Sequence, residues 1–221
     1  MPDIFDEVSE DLRAERTKRL LTQYGGLLVG IALAVIAGAA SWQGWRWYDA
    51  RETDRVAALY IGAMQDADQP AGDAREAAQP RLAEVIAAGD SGYRTLARLR
   101  AAALQADGGE LAGALALYEQ IAADTAADPL LRDLAALQWA TRQLDSGDPA
   151  MLDARLAPLT VADHPLRTLA SEAQALLAIR QGRTEAARET LKQLSQDVTA
   201  PEGVRGRANG LLAQLGGGAT P

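Results

Sequence analysis

The hydrophobic pattern of the chain changes character once. From Tyr24 to Trp45, 22 residues carry no charge, and apolar side chains fall on every face of a helix. Such a helix is about 33 Å long at ~1.5 Å per residue, which matches a bilayer core of about 30 Å. A buried helix of a water-soluble domain is usually shorter and polar on one side. The pattern predicts a transmembrane helix over residues 24–47.

A cleaved signal peptide is the main alternative to this anchor. Lys18 and Arg19 precede the apolar run, and Ala37-Gly38-Ala39 resembles a small-residue cleavage site. The run, however, is longer than the usual ~7–15 residues of a signal peptide. Aromatic residues also mark both ends of the run, as at a membrane interface. We favour an uncut anchor whose two ends carry an aromatic belt. The belt consists of Tyr24, Trp42, Trp45, Trp47 and Tyr48.

The charges that flank the segment give its orientation a slight bias. Four basic residues precede it and three follow it closely, which favours a cytoplasmic N-terminus and, in a bacterium, a periplasmic C-terminal region. The bias alone does not decide the orientation. Residues 1–23 form a predicted amphipathic leader with Ile4, Val8 and Leu12 on one face. We interpret the leader as a helical extension of the span rather than as a docking helix.

Small residues recur every four positions within the predicted span. Gly26, Gly30, Ala34 and Gly38 form one stripe, which would let another helix approach closely. A segment this rich in glycine and alanine also produces the spacing by chance. Both interpretations are compatible with the sequence.

The region after Tyr48 has a different pattern, with apolar residues at helical spacing and no alternation of period two. Sets of three apolar positions recur at intervals of 36, 38 and 35 residues, and Gly109, Gly147 and Gly182 each precede one set. A period of this size with two helices per unit predicts an all-α solenoid over residues 48–215, followed by a flexible tail at 216–221. The predicted repeat core consists of Ala78, Leu82, Val85, Ala114, Tyr118, Ile121, Leu152, Leu156, Leu159, Ala187, Leu191 and Leu194.

Start signals place several helices of the solenoid. Asp128-Pro129 is a typical helix start, and His164-Pro165 is predicted to open another. Thr184 is predicted to cap a third. The helix after Asp128 is expected to turn one face inward, formed by Leu130, Leu134, Leu137, Thr141 and Leu144.

Composition limits the chemistry that the chain can perform. The formal net charge is −8, which argues against nucleic-acid binding, and cysteine is absent. The single histidine, His164, precedes a proline at a helix start, where a capping role is the usual one. No catalytic constellation, phosphate-binding loop or metal-ligand spacing is present. We therefore expect a non-enzymatic protein without cofactor, metal or small-molecule substrate.

Four stretches carry a resemblance to a known family. They are "DIFDEVSEDLRAER" before the span, "GWRWYDARETDRVAALYIGAM" after it, and "ALYEQIAAD" and "GRTEAARETLKQL" in the repeats. The chain resembles the YfgM-like ancillary subunits of the SecYEG translocon, which are single-pass membrane proteins with tetratricopeptide-like helix pairs. The resemblance implies an inner-membrane protein with a periplasmic solenoid. Its implied partners are the Sec translocon, a periplasmic chaperone and emerging secreted chains.

Two functions are compatible with this organisation. The first is a membrane-anchored interaction module that assists secretion or periplasmic folding beside the translocon. The second is a scaffold adaptor of envelope assembly or cell division with the same fold.

Overall fold

The computed structural model describes the backbone of residues 4–70 and 72–217, with side chains for 24, 26–27, 29–70, 72 and 76–216. The side chains of Ile4, Val8 and Leu12, on which the predicted leader stripe depends, lie outside these residues. Within the described ranges every regular element is a helix. The helices are α1 (Ile4–Ala67), α2 (Asp73–Ala88), α3 (Ser91–Asp107), α4 (Leu111–Ala123), α5 (Pro129–Thr141), α6 (Pro149–Leu156), α7 (Arg167–Arg180), α8 (Thr184–Gln196) and α9 (Glu202–Gly217), with a 3₁₀ turn at Ala157–Thr160.

The chain divides into two compact units, Met1–Asp54 and Arg55–Pro221. In the first unit, the described apolar side chains of α1 are exposed: Leu33 is 61 % exposed, Val35 65 % and Trp45 76 %. Across the part of the chain that the structure describes, no helix combines the length and apolarity that crossing a membrane requires. The transmembrane helix at 24–47 therefore stays a prediction.

The second unit is a series of helix pairs. Each helix from α2 to α9 packs on the next along the chain. The first helices of successive pairs also meet one another, because α3 contacts α5, α5 contacts α7, and α7 contacts α9. The second helices are α2, α4, α6 and α8. This arrangement of sequential pairs is an all-α, repeat-like solenoid.

Local sequence explains where the helices begin and turn. The carboxylates of Asp90, Asp128 and Asp148 each accept a hydrogen bond from a main-chain N–H in the first turn of α3, α5 and α6. The turns between α3 and α4 and between α7 and α8 use glycine in the left-handed region, with φ of 89° at Gly109 and 73° at Gly182. This region is strained for residues with a Cβ. The caps and glycines thus end one helix and direct the chain into its partner.

The second helices supply much of the buried core. The twelve residues of the predicted repeat core, from Ala78 to Leu194, are all between 0 and 3 % exposed. Those of α2 pack with α3 and with Val56, Ala63 and Ala67 of α1. The sets in α4 and α6 join a central cluster, while Leu191 and Leu194 of α8 pack against α7 and α9.

The inward face of α5 differs from the prediction. Leu130 is 42 % exposed, and Leu144 lies beyond the helix end at Thr141. The buried residues are instead Ala135, Ala136, Leu137, Trp139 and Ala140. Since α5 contacts α3, α4, α6 and α7, its buried surface covers more than one stripe. Small alanine side chains let these helices approach closely, so the largest aliphatic residues are not the most buried ones.

Two further expectations differ from the structure at helix ends. Thr184 does not cap α8, because the N-cap position is occupied by Arg183 and no side chain caps that end. The turn of Gly182 is stabilised by the main chain instead, where Arg183 N donates to Ala178 O at 2.9 Å. At the C-terminus, α9 extends to Gly217, into the predicted tail, and residues 218–221 lie outside the described residues.

Arginine side chains connect successive pairs, a feature that the sequence analysis missed. Arg142 reaches Asp107 at 2.9 Å and Arg155 reaches Glu119 at 3.5 Å. Arg180 donates to the carbonyl oxygens of Leu144 and Gly147, both at 2.7 Å. The partners are separated by 33 to 36 residues, close to the repeat period. A search for opposite charges at that spacing would have found the ion pairs.

Candidate partner-binding groove

A groove runs along the first helices α5, α7 and α9. Its volume is about 690 Å³, and five leucines form most of its apolar surface. Volumes of 300–1,000 Å³ are typical of ligand sites. The lining residues are Leu134, Leu137, Gln138, Thr141, Arg142, Leu169, Glu172, Ala173, Leu176, Arg207, Gly210, Leu211 and Gln214.

The lining of the groove combines apolar and polar side chains of the first helices. Leu134 and Leu169 are only partly buried, and Leu169 packs against the central core cluster. Leu211 of α9 likewise packs against the last core cluster while one side of it stays accessible. An apolar surface of this kind, rimmed by polar residues, is typical of an interaction site.

One ion pair crosses the groove from α7 to α9. The Glu172 side chain is 8 % exposed, and its two oxygens accept from Nε and Nη2 of Arg207 at 2.6 and 2.7 Å. This bidentate geometry compensates the buried carboxylate. The hydrogen bond to Glu172 raises the pKa of Arg207 above its usual range, so the guanidinium is charged at all physiological pH values.

Polar groups that remain available to a partner lie beside this pair. Among the residues that the structure describes, the carboxamides of Gln138 and Gln214 make no hydrogen bond to the protein, and Nη1 of Arg207 makes none either. The Thr141 hydroxyl is already used, because it donates to Leu137 O at 2.5 Å. Among the described lining residues, the carboxamides of Gln138 on α5 and Gln214 on α9 and Nη1 of Arg207 on α9 are therefore available to a partner.

The repeat-core residues and the small-residue stripe that were predicted from the sequence do not line the groove. None of the twelve repeat-core residues lines the groove, since they are buried on the second helices and the 3₁₀ turn. In the first unit, a Cβ added at Gly26, Gly30 or Gly38 would meet nothing within 4 Å, and Ala34 is exposed.

The aromatic belt is exposed throughout. Tyr24 is 47 % exposed, and Trp42, Trp45, Trp47 and Tyr48 lie between 57 and 76 %. The guanidinium of Arg51 stacks over the Trp47 ring at 3.6 Å from its centroid. This cation–π contact holds the Trp47 ring beside a charge.

The histidine has a structural setting. His164 Nδ1 accepts from Leu166 N at 3.1 Å, and Nε2 lies 3.1 Å from Asp133 Oδ2. Both ring nitrogens are engaged, so the imidazole holds the turn before α7 against α5. Within the residues described, no group of three or more metal-ligating side chains comes together.

These observations define the class of protein as an α-solenoid with a groove along its first helices. A comparison with known protein families identifies the family, because the tetratricopeptide repeat-like domain matches residues 18–205. The chain belongs to this family, whose repeat domains bind other proteins and are typically non-catalytic. No curated protein and no solved structure matches the chain.

Proposed function

We propose that this chain is a non-enzymatic protein-interaction module whose groove along α5, α7 and α9 binds a segment of a partner protein. The observation that carries the proposal is the groove itself, with its leucine surface and its unused polar groups. Apolar anchors surrounded by hydrogen-bonding groups are the usual composition of a protein-binding surface.

The first unit supports a membrane location for this module. The described apolar side chains between Leu27 and Trp47 are exposed, which suits a lipid environment. We propose that residues 24–47 anchor the protein in a bacterial inner membrane, with the N-terminus cytoplasmic and the repeats periplasmic. Tethering raises the effective concentration of the groove near any partner in the same membrane.

The resemblance to ancillary translocon subunits suggests where that partner lies. We propose that the groove acts beside the Sec translocon, on an emerging secreted chain or on a periplasmic chaperone. A role as an envelope or cell-division scaffold differs in location, since it predicts partners at the septum rather than at the secretion channel.

Photo-crosslinking in living cells tests the proposal. A photoreactive amino acid replaces Gln138 or Gln214 in the groove, or Ala186, which is exposed on α8 outside the groove, as a matched control. We expect protein adducts from both groove positions and few from Ala186. Adducts that contain translocon or periplasmic proteins support the location. Equal labelling from all three positions would mean that the groove is not the binding surface.

A further inference from the structure

The imidazole ring of His164 joins α5 to the turn before α7 through two bonds that respond differently to a proton. We infer that protonation of His164 releases this turn while the ring stays bound to α5, which makes the start of α7 sensitive to pH.

One edge of the repeats carries a row of similar polar contacts. In each of them, a charged residue of a first helix contacts the turn that leads into the next first helix. Arg98 of α3 reaches Asp124 at 3.1 Å, and Arg167 of α7 reaches Asp197 at 2.5 Å. The cation of both contacts is an arginine, which stays protonated at all physiological pH values. These two contacts therefore do not respond to pH near neutrality.

The middle contact of the row has a histidine as its basic partner. Asp133 of α5 supplies the carboxylate, and its Oδ2 lies 3.1 Å from Nε2 of His164. His164 is the single histidine of the chain. Histidine is the side chain that ordinarily changes its charge between about pH 5 and pH 8. Of the three contacts, this one alone changes its charge state in that range.

The second ring nitrogen defines the form of the imidazole that the structure contains. Nδ1 accepts from Leu166 N at 3.1 Å, so Nδ1 carries no proton. The proton of the neutral ring therefore lies on Nε2, which donates to Asp133. Leu166 is the N-cap residue of α7, and its own side chain caps nothing. The bond to Nδ1 thus holds the turn at the point where the helix begins.

A proton added to the neutral ring goes to Nδ1, because Nε2 already carries one. Both nitrogens are then donors, and the N–H group of Leu166 faces another N–H group instead of an acceptor. A main-chain N–H that loses its acceptor is destabilising. The contact with Asp133 becomes a charge-assisted hydrogen bond, which is stronger than the neutral one. The proton therefore breaks the bond to the turn and keeps the bond to α5.

The surroundings of the ring allow it to become charged. The His164 side chain is 15 % exposed, so a proton can reach it from solvent. Asp133 contacts the ring, Asp163 precedes it in the turn, and the 3₁₀ turn at Ala157–Thr160 contributes no charge. Arg167 follows in the first turn of α7, but its guanidinium is already paired with a carboxylate. An imidazolium at this position is therefore accompanied by a carboxylate and opposed by no unpaired cation among these groups.

The released turn is the start of a helix that lines the groove. α7 contacts both α5 and α9, and it contributes Leu169, Glu172 and Leu176 to the lining. Resting on the function proposed above, this gives the binding groove one wall that depends on pH. The release of the turn itself does not depend on that function.

Nuclear magnetic resonance of the full-length chain in lipid nanodiscs tests the inference. A nitrogen-15 label in histidine gives one pair of ring signals, because the chain has one histidine. The shifts should show a bare Nδ1 at about pH 8 and two protonated nitrogens at about pH 5. The Leu166 amide hydrogen should exchange about three- to tenfold faster at the lower pH, after correction for the intrinsic pH dependence, because one hydrogen bond is lost.

Two controls make the test specific to the ring. His164→Asn keeps a side-chain oxygen that accepts from the N–H two residues on, and this oxygen does not titrate in the range. Exchange at Leu166 should then be the same at both pH values. In the wild type, the Arg183 amide before α8 is bound to the main-chain oxygen of Ala178 at 2.9 Å and should not change either.

Several results would overturn the inference. A ring that keeps a single proton at the lower pH, or equal protection of Leu166 at both values, would show that the turn is not released. The same acceleration in His164→Asn, or at Arg183 in the wild type, would show that the change does not come from the ring. Crosslinks from Gln138 bear only on the proposed function, so their absence leaves this result unaffected.

Discussion

The two units of the chain use apolar residues in opposite ways. Leu33 and Val35 of the first unit are 61 and 65 % exposed, whereas Leu156 and Val85 of the second are fully buried. Full burial of such a side chain contributes about 1.5–3 kcal/mol. The repeats obtain this stabilisation from their own helices, because each helix is apolar on the side that faces its neighbour. In the first unit, the described apolar side chains between Leu27 and Trp47 are exposed, so they gain no such stabilisation from a core.

The arrangement of apolar residues around a helix thus decides whether a buried core forms, more than their number does. One-sided helices of moderate hydrophobicity build a core, and the same residues spread around a helix do not.

Truncation of one leucine in each unit should give the largest difference in the free energy of unfolding. Leu156→Ala leaves a cavity in the central cluster and should lower the free energy of unfolding by about 2–5 kcal/mol. Leu33→Ala should change it by less than about 0.5 kcal/mol, because that side chain contributes nothing to the repeat core. Urea unfolding of the full-length chain in nanodiscs, followed by circular dichroism, measures both. Similar losses would show that the two units are stabilised in the same way.

A charge in the first unit should act on location rather than on stability. Val35→Arg places a guanidinium at the centre of the apolar segment, at a cost of about 2.5–3.5 kcal/mol for a bilayer position. We expect a smaller membrane fraction after carbonate extraction, with the melting of the repeats unchanged. Ala186→Arg on exposed α8 is the control and should stay in the membrane fraction. Unchanged extraction of Val35→Arg would argue against the proposed anchor.

Removal of the Arg207 guanidinium should show how much an unpaired, buried carboxylate destabilises the repeats. Arg207→Ala leaves the Glu172 carboxylate without its partner and should destabilise the repeats by about 2–4 kcal/mol. Glu172→Gln in the same chain should restore part of that loss, because a neutral amide is less costly to bury. Thermal unfolding of the two single variants and the double variant gives the coupling. An additive result would mean that the pair is not coupled.

The smallest effect concerns pH. Hydrogen bonds from the Thr199 hydroxyl, the Arg167 guanidinium and the Thr199 main chain lower the pKa of Asp197 from 3.8 to about 2. A carboxyl whose pKa is lowered by folding stabilises the fold above the unfolded value and loses that contribution as pH falls through the folded value. The wild type should therefore lose its advantage over Asp197→Asn between about pH 4 and pH 2. A constant difference in melting temperature across this range would rule out the contribution.

Sequence reasoning succeeded where helical spacing alone sets the result. The α-class and the paired helices follow from three apolar positions per unit that recur at nearly constant intervals, because each second helix packs with one narrow stripe. It failed on α5, which contacts four other helices and buries alanines and Trp139 rather than Leu130. A single-stripe pattern cannot represent a helix with several neighbours.

The groove could not be predicted from the sequence either. Its residues come from three helices that are separated by about 35 positions each, and their leucines look like ordinary core residues. Only the packing shows that Leu134, Leu176 and Leu211 keep an accessible side. The Glu172–Arg207 pair spans 35 residues, a spacing that gains meaning only when the repeat period is known.

One photo-crosslinking measurement tests the contrast between the two units most directly. A photoreactive amino acid at Ile36, 64 % exposed in the first unit, is compared with one at Gln138 in the groove. Adducts from intact cells are identified by mass spectrometry. We expect lipid adducts from Ile36 and adducts of other proteins from Gln138. Protein adducts alone from Ile36, or lipid adducts from Gln138, would contradict it.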